Sequence, residues 1–331
     1  MILEKLRDPF EDNQVSQFTD KFIQQTNSDA LICKCSAVRA KYLDDPFALA
    51  LCTREFKCSP IMNRGTFVRT KTIDQIVLSF IQNFKESTVQ ILSLGAGSDT
   101  RFFNLIKRRH YRNIKYFEVD FAAVNAKKCN VIKRKKEFLS LLDNPRIDNP
   151  RIDISEIYSD DYFLLSEDLR NFKTKVMPKL ITCGFTYTNP TIVLSECVLI
   201  YLDSIVGDAI ISTLSSVLTT SCFVTYEQIK PHDAFGSVMI DNLKAKNISL
   251  LSIEKYPDLI AQKERYLSLG CDFSFCLDMY EVYQKMITED EKERIAKLEI
   301  MDEIEEFILL LQHYCLLVAS HNFNISDIIK I

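Results

Sequence analysis

Two glycines two positions apart close an apolar run in ILSLGAGSDTRFF, residues 91–103, in a chain with only seven glycines among 331 residues. Gly95 and Gly97 would sit after a strand and before a helix. Glycine there lets the backbone approach a ligand closely. The helix start beyond it supplies free N–H groups and a partial positive charge. That chemistry suits a nucleotide-like or carboxylate-bearing ligand, although a tight strand-to-helix turn without a ligand uses the same residues. Asp120 closes the next candidate strand, KYFEVD, 25 residues after Gly95. An acidic group there lies beside the glycine loop of a doubly wound sheet and can accept from both ribose hydroxyls. Capping the following helix is a compatible second role. Glu196 interrupts the apolar run TIVLSECVLIYL near the C-terminal edge of a strand that should be central. Buried parallel strands rarely hold an unpaired carboxylate, and ligands bind at that edge. Glu196 therefore reads as a cleft residue touching ligand or substrate, or as a buried glutamate paired with an arginine.

These residues need particular elements to position them. The spacing of IDQIVLSFIQNF (73–84) predicts a helix, and residues 1–85 read as mostly helical with interruptions at Pro9, Pro46 and Pro60. The period then changes. VQILSL (89–94), IKYFEVD (114–120), TIVLSE (191–196) and CFVTYE (222–227) have strand character, with YFLLSED (162–168) as a further candidate. A helix with Ser98 or Asp99 as N-cap follows the glycines, a long helix spans 121–142, and another starts near Asp203. LLDNPRIDNPRIDIS, with two prolines in a polar stretch, reads as a surface loop. A charged amphipathic helix is predicted over 294–312, and HYCLLVAS (313–320) as an edge strand closing the sheet. Alternating strands and helices imply an α/β fold with a parallel sheet and helices on both faces. The expected division is an N-terminal helical extension or lid over 1–85 and a core over 86–331, with a substrate-recognition insertion around 228–312.

Composition sets the outer bounds. Apolar residues make up 47% of the chain, charged residues 26%, and the net charge is −4. This is the composition of an ordered globular protein, and it gives no reason to expect nucleic acid as the main partner. The run Lys133-Arg134-Lys135-Lys136 reads as a solvated helix face. The N-terminus lacks the apolar core of a secretion signal, and no segment has the length of a membrane span. Eleven dispersed cysteines without a CxxC pair read as reduced thiols. The four histidines are too scattered for a structural zinc site, so no metal is expected. The expectation is a cytoplasmic monomer without membrane attachment.

Position 100 is threonine, so the third glycine of the dinucleotide fingerprint GxGxxG is missing. GxG with Asp120 fits an S-adenosylmethionine methyltransferase better than a dehydrogenase. The wider pattern resembles the leucine carboxyl methyltransferase family, which methylates the C-terminal leucine of the protein phosphatase 2A catalytic subunit. The resemblance rests on blocks in order: DALICKCSAV (29–38), PIMNRGTFVRT (60–70), LSLGAGSDTRF (92–102), KYFEVDF (115–121), LSECVLIY (194–201), YEQIKPHDAFGSVMIDNL (226–243), QKERYLSLG (262–270), LEIMDEIEEF (298–307) and HYCLLVA (313–319).

The resemblance implies a Rossmann-like S-adenosylmethionine methyltransferase sheet and places Lys34, Arg69, Gly95, Gly97, Asp120, Asp168, Leu169 and Glu196 at the cofactor. Arg69 and Lys34 would hold the methionine carboxylate, Asp120 the ribose and Asp168 the adenine amino group. Glu196 would lie near the methionine amine. Gly65 would permit a turn that brings Arg69 inward. Tyr201 and Tyr226, with Arg69, would line the methyl-transfer pocket, or else serve as core aromatics. The family commonly has Asp-Arg-Phe-Gly after the fifth strand, whereas this chain has Asp233-Ala234-Phe235-Gly236. That departure removes a side chain the family has available for substrate contact.

The sequence offers no Ser-His-Asp or Cys-His arrangement. A terminal carboxyl, with a pKa of about 3.5, is already ionised at neutral pH and needs no base to become a nucleophile. Two other classes of function compete. A wybutosine-type tRNA methyltransferase resembles this chain over its methyltransferase half but carries a long C-terminal β-propeller. The end of this sequence at Ile331 and its net acidity point away from it. A non-catalytic phosphatase-binding protein is opposed by the intact Gly95, Gly97, Asp120, Arg69 and Glu196.

Overall fold

A computed structural model describes residues 9–109, 113–146 and 154–327, with side chains from residue 20 onward. Its first three helices are α1 (Pro9–Arg39), α2 (Pro46–Leu51) and α3 (Pro60–Asn83). Each proline stands at the start of a helix, where its missing N–H costs nothing and its fixed φ is already helical. The predicted interruptions are thus helix beginnings, and the helix expected over 73–84 is the C-terminal half of α3.

The alternating part follows. Its first half runs β1 (Val89–Leu94), α4 (Arg101–Arg109), β2 (Ile114–Asp120), α5 (Ala122–Arg134), α6 (Lys136–Leu139), β3 (Ile157–Tyr158), β4 (Tyr162–Ser166) and α7 (Met177–Thr182). The second half is β5 (Thr191–Glu196), α8 (Ser204–Val217), β6 (Ser221–Gln228), α9 (Ala234–Ala245), α10 (Leu259–Ser268), β7 (Phe273–Asp278), α11 (Met279–Met286), α12 (Glu289–Ala296), α13 (Ile304–Gln312) and β8 (Tyr314–His321). The strands form one sheet in the order β3-β4-β2-β1-β5-β6-β8-β7. From β4 to β6 all neighbours are parallel, while β8 is antiparallel to both β6 and β7. This is a Rossmann-like α/β fold.

Alternation along the central strands divides the core between the two faces. Ile91, Tyr116, Ile192 and Leu194 pack into one apolar layer with Phe67, Val77 and Phe80 of α3. Leu92, Phe117, Val119 and Val193 pack into the other with Ile210 and Leu214 of α8. Both layers are apolar, which is why these strands read as nearly continuous hydrophobic runs.

Four local expectations are corrected. The helix predicted over 121–142 breaks at Lys135, which has an extended backbone. The helix predicted over 294–312 is two helices, and in the segment between them Glu299 accepts from the buried Asn63 Nδ2 at 2.8 Å. β8 is not an edge strand: CLLVAS is buried on both faces and lies between β6 and β7. The edge is β7, whose Phe273 is 46% exposed. Finally, Gly65 makes no turn. It lies inside α3, and a Cβ there would meet Leu310 only at ordinary contact distance, 3.8 Å.

Residues 228–312 contribute β7 to the sheet as well as helices α9 to α13. The repeated DNPRI segment lies mostly outside the described residues, which include its start through Arg146. Among the described residues no helix is long and apolar enough to cross a membrane.

Candidate active site

The sheet order reverses at β1, which has β2 on one side and β5 on the other. The crevice beyond the C-terminal ends of strands at such a switch point is where open α/β sheets bind ligands. Gly95 follows β1, Glu196 ends β5 and Asp120 ends β2, so the three residues picked out by type converge on one edge. They line a single cavity of about 710 Å³ together with Gly97, Asp168, Leu169, Lys34, Arg69, Tyr201 and Tyr226. Residues of α1, from Asp20 to Lys34, cover one side of it.

The glycine loop is left-handed twice, with φ of +56° at Gly95 and +54° at Gly97. A Cβ on Gly95 would lie 2.6 Å from Val198 Cγ2, and one on Gly97 2.5 Å from Asn27 Oδ1. Both glycines are therefore required by conformation and by close packing. Asn27 Oδ1 accepts from the Ser98 N–H at 2.8 Å, which ties α1 to the loop. Asp120 Oδ2 accepts from the Gly97 N–H at 2.7 Å and Oδ1 from the Phe121 N–H at 2.6 Å. Each carboxylate oxygen keeps acceptor capacity for a ligand hydroxyl. Burial pushes the Asp120 carboxyl up to about 6, against the opposing pull of those two N–H groups. The helix predicted after the loop begins at Arg101, and Asp99 Oδ1 accepts its N–H at 3.0 Å.

The opposite end of the cavity is built from ion pairs. Lys34 Nζ lies 2.8 Å from Asp45 Oδ2 and donates to Thr100 Oγ1 at 2.9 Å. Burial alone would lower its pKa, but Asp45 raises it, so the ammonium is charged and has one donor left. Arg69 is placed differently. Its Nε lies 3.5 Å from Glu196 Oε2 and makes no hydrogen bond although it is buried. Its guanidinium carbon stands 5.5 Å from the centre of the Tyr226 ring, which stacks on Tyr314 at 5.0 Å. Glu196 Oε1 accepts from Arg101 Nη2 at 3.0 Å. Glu196 thus combines both readings made from sequence, a cleft residue and a carboxylate paired with arginine.

Asp168 and Leu169 open a short 3-10 turn, with Asp168 as its cap. The Asp168 carboxylate accepts from Arg170 Nε at 2.8 Å, and Arg170 also reaches Asp20 of α1 at 2.5 Å. Asp233 caps α9 through the Gly236 N–H at 2.8 Å and accepts from His313 Nε2, also at 2.8 Å. Gly236 is held to glycine because a Cβ would collide with the Lys230 carbonyl. The flanking residues of the DAFG block thus have structural roles, and Ala234 leaves them intact.

Arg101 was not singled out from sequence. It bonds Asp74, Asp99 and Glu196, and only its place directly after the glycine loop hinted at the cavity. Asp45 was missed as well. Its link to Lys34 and Thr100 crosses elements that no local spacing connects. Among the described residues no group of three or more His, Cys, Asp or Glu could hold a metal ion.

The family model of leucine carboxyl methyltransferase matches residues 22–215, and the chain belongs to that family. It is 38% identical over 298 residues to the leucine carboxyl methyltransferase 1 homolog of Arabidopsis thaliana, covering 90% of this chain and 88% of that protein. It is 32% identical over 308 residues to the human tRNA wybutosine-synthesizing protein 4, covering 92% of this chain but only 45% of that one. Among solved structures, the magnesium protoporphyrin IX methyltransferase of Synechocystis PCC 6803 overlays with a TM-score of 0.42 at 10% identity, covering 81% of this chain and 90% of that one.

Proposed function

We propose that this chain transfers a methyl group from S-adenosylmethionine to the α-carboxylate of a C-terminal leucine on the protein phosphatase 2A catalytic subunit, giving a methyl ester that regulates phosphatase assembly. The observation that carries the reading is the pairing, in one cavity, of Asp120 beside the glycine loop with a half-buried Arg69 whose buried Nε has no hydrogen-bond partner. The donor set fits such a cofactor. Asp120 can accept from ribose hydroxyls, and Arg69, with the third donor of Lys34, offers positive charge to a carboxylate. Glu196 offers negative charge to an ammonium. When bound, the cofactor supplies an electrophilic methyl on a sulfonium.

The chain's own residues then have three tasks. The glycine loop and Asp120 orient the ligand, since a near-attack distance of roughly 3 Å is where positioning contributes most. Tyr201 and Tyr226, each 9% exposed, wall the cavity and help exclude water from the carboxylate nucleophile. No residue must remove a proton, because the acceptor is already ionised, and among the described residues no histidine lines the cavity. The leucine side chain would contribute only about 1–3 kcal/mol of discrimination. Further binding energy should therefore come from the folded phosphatase surface, and short peptides should be poor substrates. We place the enzyme in the cytoplasm, acting as a monomer.

A tRNA acceptor is the alternative suggested by the wybutosine relative, and one experiment separates them. Labelled cofactor is presented with the full phosphatase catalytic subunit, a version lacking the terminal leucine, the free C-terminal peptide, and bulk tRNA. Base-labile label should appear strongly on the first alone. Equal labelling of the leucine-deleted subunit, or label on tRNA, would contradict the proposal.

A further inference from the structure

Two guanidinium groups face the same end of the cavity in opposite states. The Arg101 side chain is 5% exposed, and three of its nitrogens each meet a carboxylate. Nε donates to Asp74 Oδ1 at 2.6 Å, Nη1 to Asp99 Oδ2 at 2.7 Å and Nη2 to Glu196 Oε1 at 3.0 Å. Those carboxylates come from α3, from the glycine loop and from the end of β5. Each Arg101 nitrogen already meets a carboxylate, so only the second N–H of Nη1 and of Nη2 is left over. Among the described residues the one carboxylate near Arg69 is Glu196, whose Oε2 lies at the longer distance of 3.5 Å from its Nε. Three carboxylates thus share two guanidinium groups. Burial alone would raise the Asp99 carboxyl, but Arg101 and Lys34 hold it far below the usual range, so Asp99 is one of the charges present.

The bond from Arg101 fixes one oxygen of Glu196 and leaves the other turned toward Arg69. The result is a carboxylate held between two cations, of which Arg69 is the less engaged by carboxylates. A ligand end carrying both an ammonium and a carboxylate matches that arrangement: the ammonium meets Glu196 and the carboxylate meets Arg69. We infer that Arg101 is a positioning residue that acts through Glu196, setting the carboxylate for the ammonium of the cofactor's amino-acid end and keeping Arg69 for its carboxylate. The inference rests on the cofactor reading above. The competing role is a general brace, since the same three bonds tie α3, the loop and β5 together. A brace would matter equally to every ligand in the cavity.

Two ligands distinguish the roles. S-adenosylhomocysteine has the amino-acid end, and 5′-methylthioadenosine keeps the adenosine and lacks that end. Their dissociation constants are measured by calorimetry on the full chain, on Arg101→Lys, on Glu196→Gln and on the double variant, with folding checked by circular dichroism. A lysine cannot hold three carboxylates in a fork geometry. Arg101→Lys should weaken S-adenosylhomocysteine by about tenfold or more, and 5′-methylthioadenosine by less than about twofold. The double variant should be little worse than Glu196→Gln alone, as expected for two residues acting on one contact. Equal loss for both ligands, no loss for either, or an Arg101→Lys chain that does not fold would overturn the inference. Failure of the unaltered chain to bind S-adenosylhomocysteine would instead overturn the cofactor reading, and the inference with it.

Discussion

At one end of the cavity, Gly95, Gly97 and Asp120 act within a single strand–loop–helix–strand unit, and their bonds run through the backbone. At the other end, Arg69, Arg101 and Glu196 come from α3, α4 and β5, and their contacts run between side chains. The first end is set by chain geometry: a left-handed glycine and a strand-end aspartate leave little else possible. The second is set by charge balance among residues far apart in sequence. A substitution at the first end should act locally on the ligand it touches. At the second end it should redistribute several pairs at once.

Four outcomes would break or sharpen that contrast, from the largest effect to the smallest. Asp120→Ala should weaken S-adenosylmethionine binding by about 1.5–3 kcal/mol, the scale of charge-assisted hydrogen bonds, in a chain that circular dichroism shows folded. Unchanged affinity in the folded variant would remove Asp120 from the site. Arg69→Lys should lose at least about tenfold in kcat/KM, because a point charge does not reproduce a bidentate fork. Full activity would mean that Arg69 serves as a general positive charge only.

The third outcome concerns pH. Ribose hydroxyls donate to the ionised form of Asp120, whose carboxyl is pushed up to about 6 by burial. Affinity should therefore fall about tenfold per pH unit below 6, and binding should release a proton near that pH. The stability of the ligand-free chain runs the other way. A carboxyl whose folded pKa is raised contributes stability below its unfolded pKa of about 3.9, and that contribution is lost as pH rises through 6. Calorimetry in buffers of different ionisation enthalpy reads the proton, and a flat affinity from pH 5 to 7 would contradict the assignment. Last, Gly97→Ala should cost about 1–2 kcal/mol of stability from the left-handed backbone alone. The clash with Asn27 would add to that loss. A thermal melt equal to that of the unaltered chain would show that the loop can relax.

The same contrast explains what could be read from sequence. The strands and the glycine loop were legible because their signals are local: β1, β2, β5 and β6 fall where the apolar runs place them, within a residue or so. Asp120 and Glu196 were legible because carboxylates interrupting or ending buried strands need a reason. β8 was read as a strand but given the wrong place, because strand order depends on long-range pairing with β6 and β7. The break before α13 has no glycine or proline to mark it, and the partner of Glu299 within it, Asn63, lies far away in α3. Gly65 was given a turn it does not make, since a glycine inside a helix looks the same in sequence as one outside it. Lys34 and Arg69 entered only through family resemblance. Nothing in their local sequence distinguishes them from surface cations, and their partners Asp45 and Glu196 lie in other elements.

The most direct test of the two-ended cavity is a crystal structure of the chain with S-adenosylhomocysteine bound. The account predicts the ribose hydroxyls on Asp120, the adenosine beside Asp168 and Leu169, and the amino-acid carboxylate on Arg69, with Glu196 still held by Arg101. A ligand bound in the reverse orientation, or seated outside the cavity bounded by the glycine loop, would contradict it.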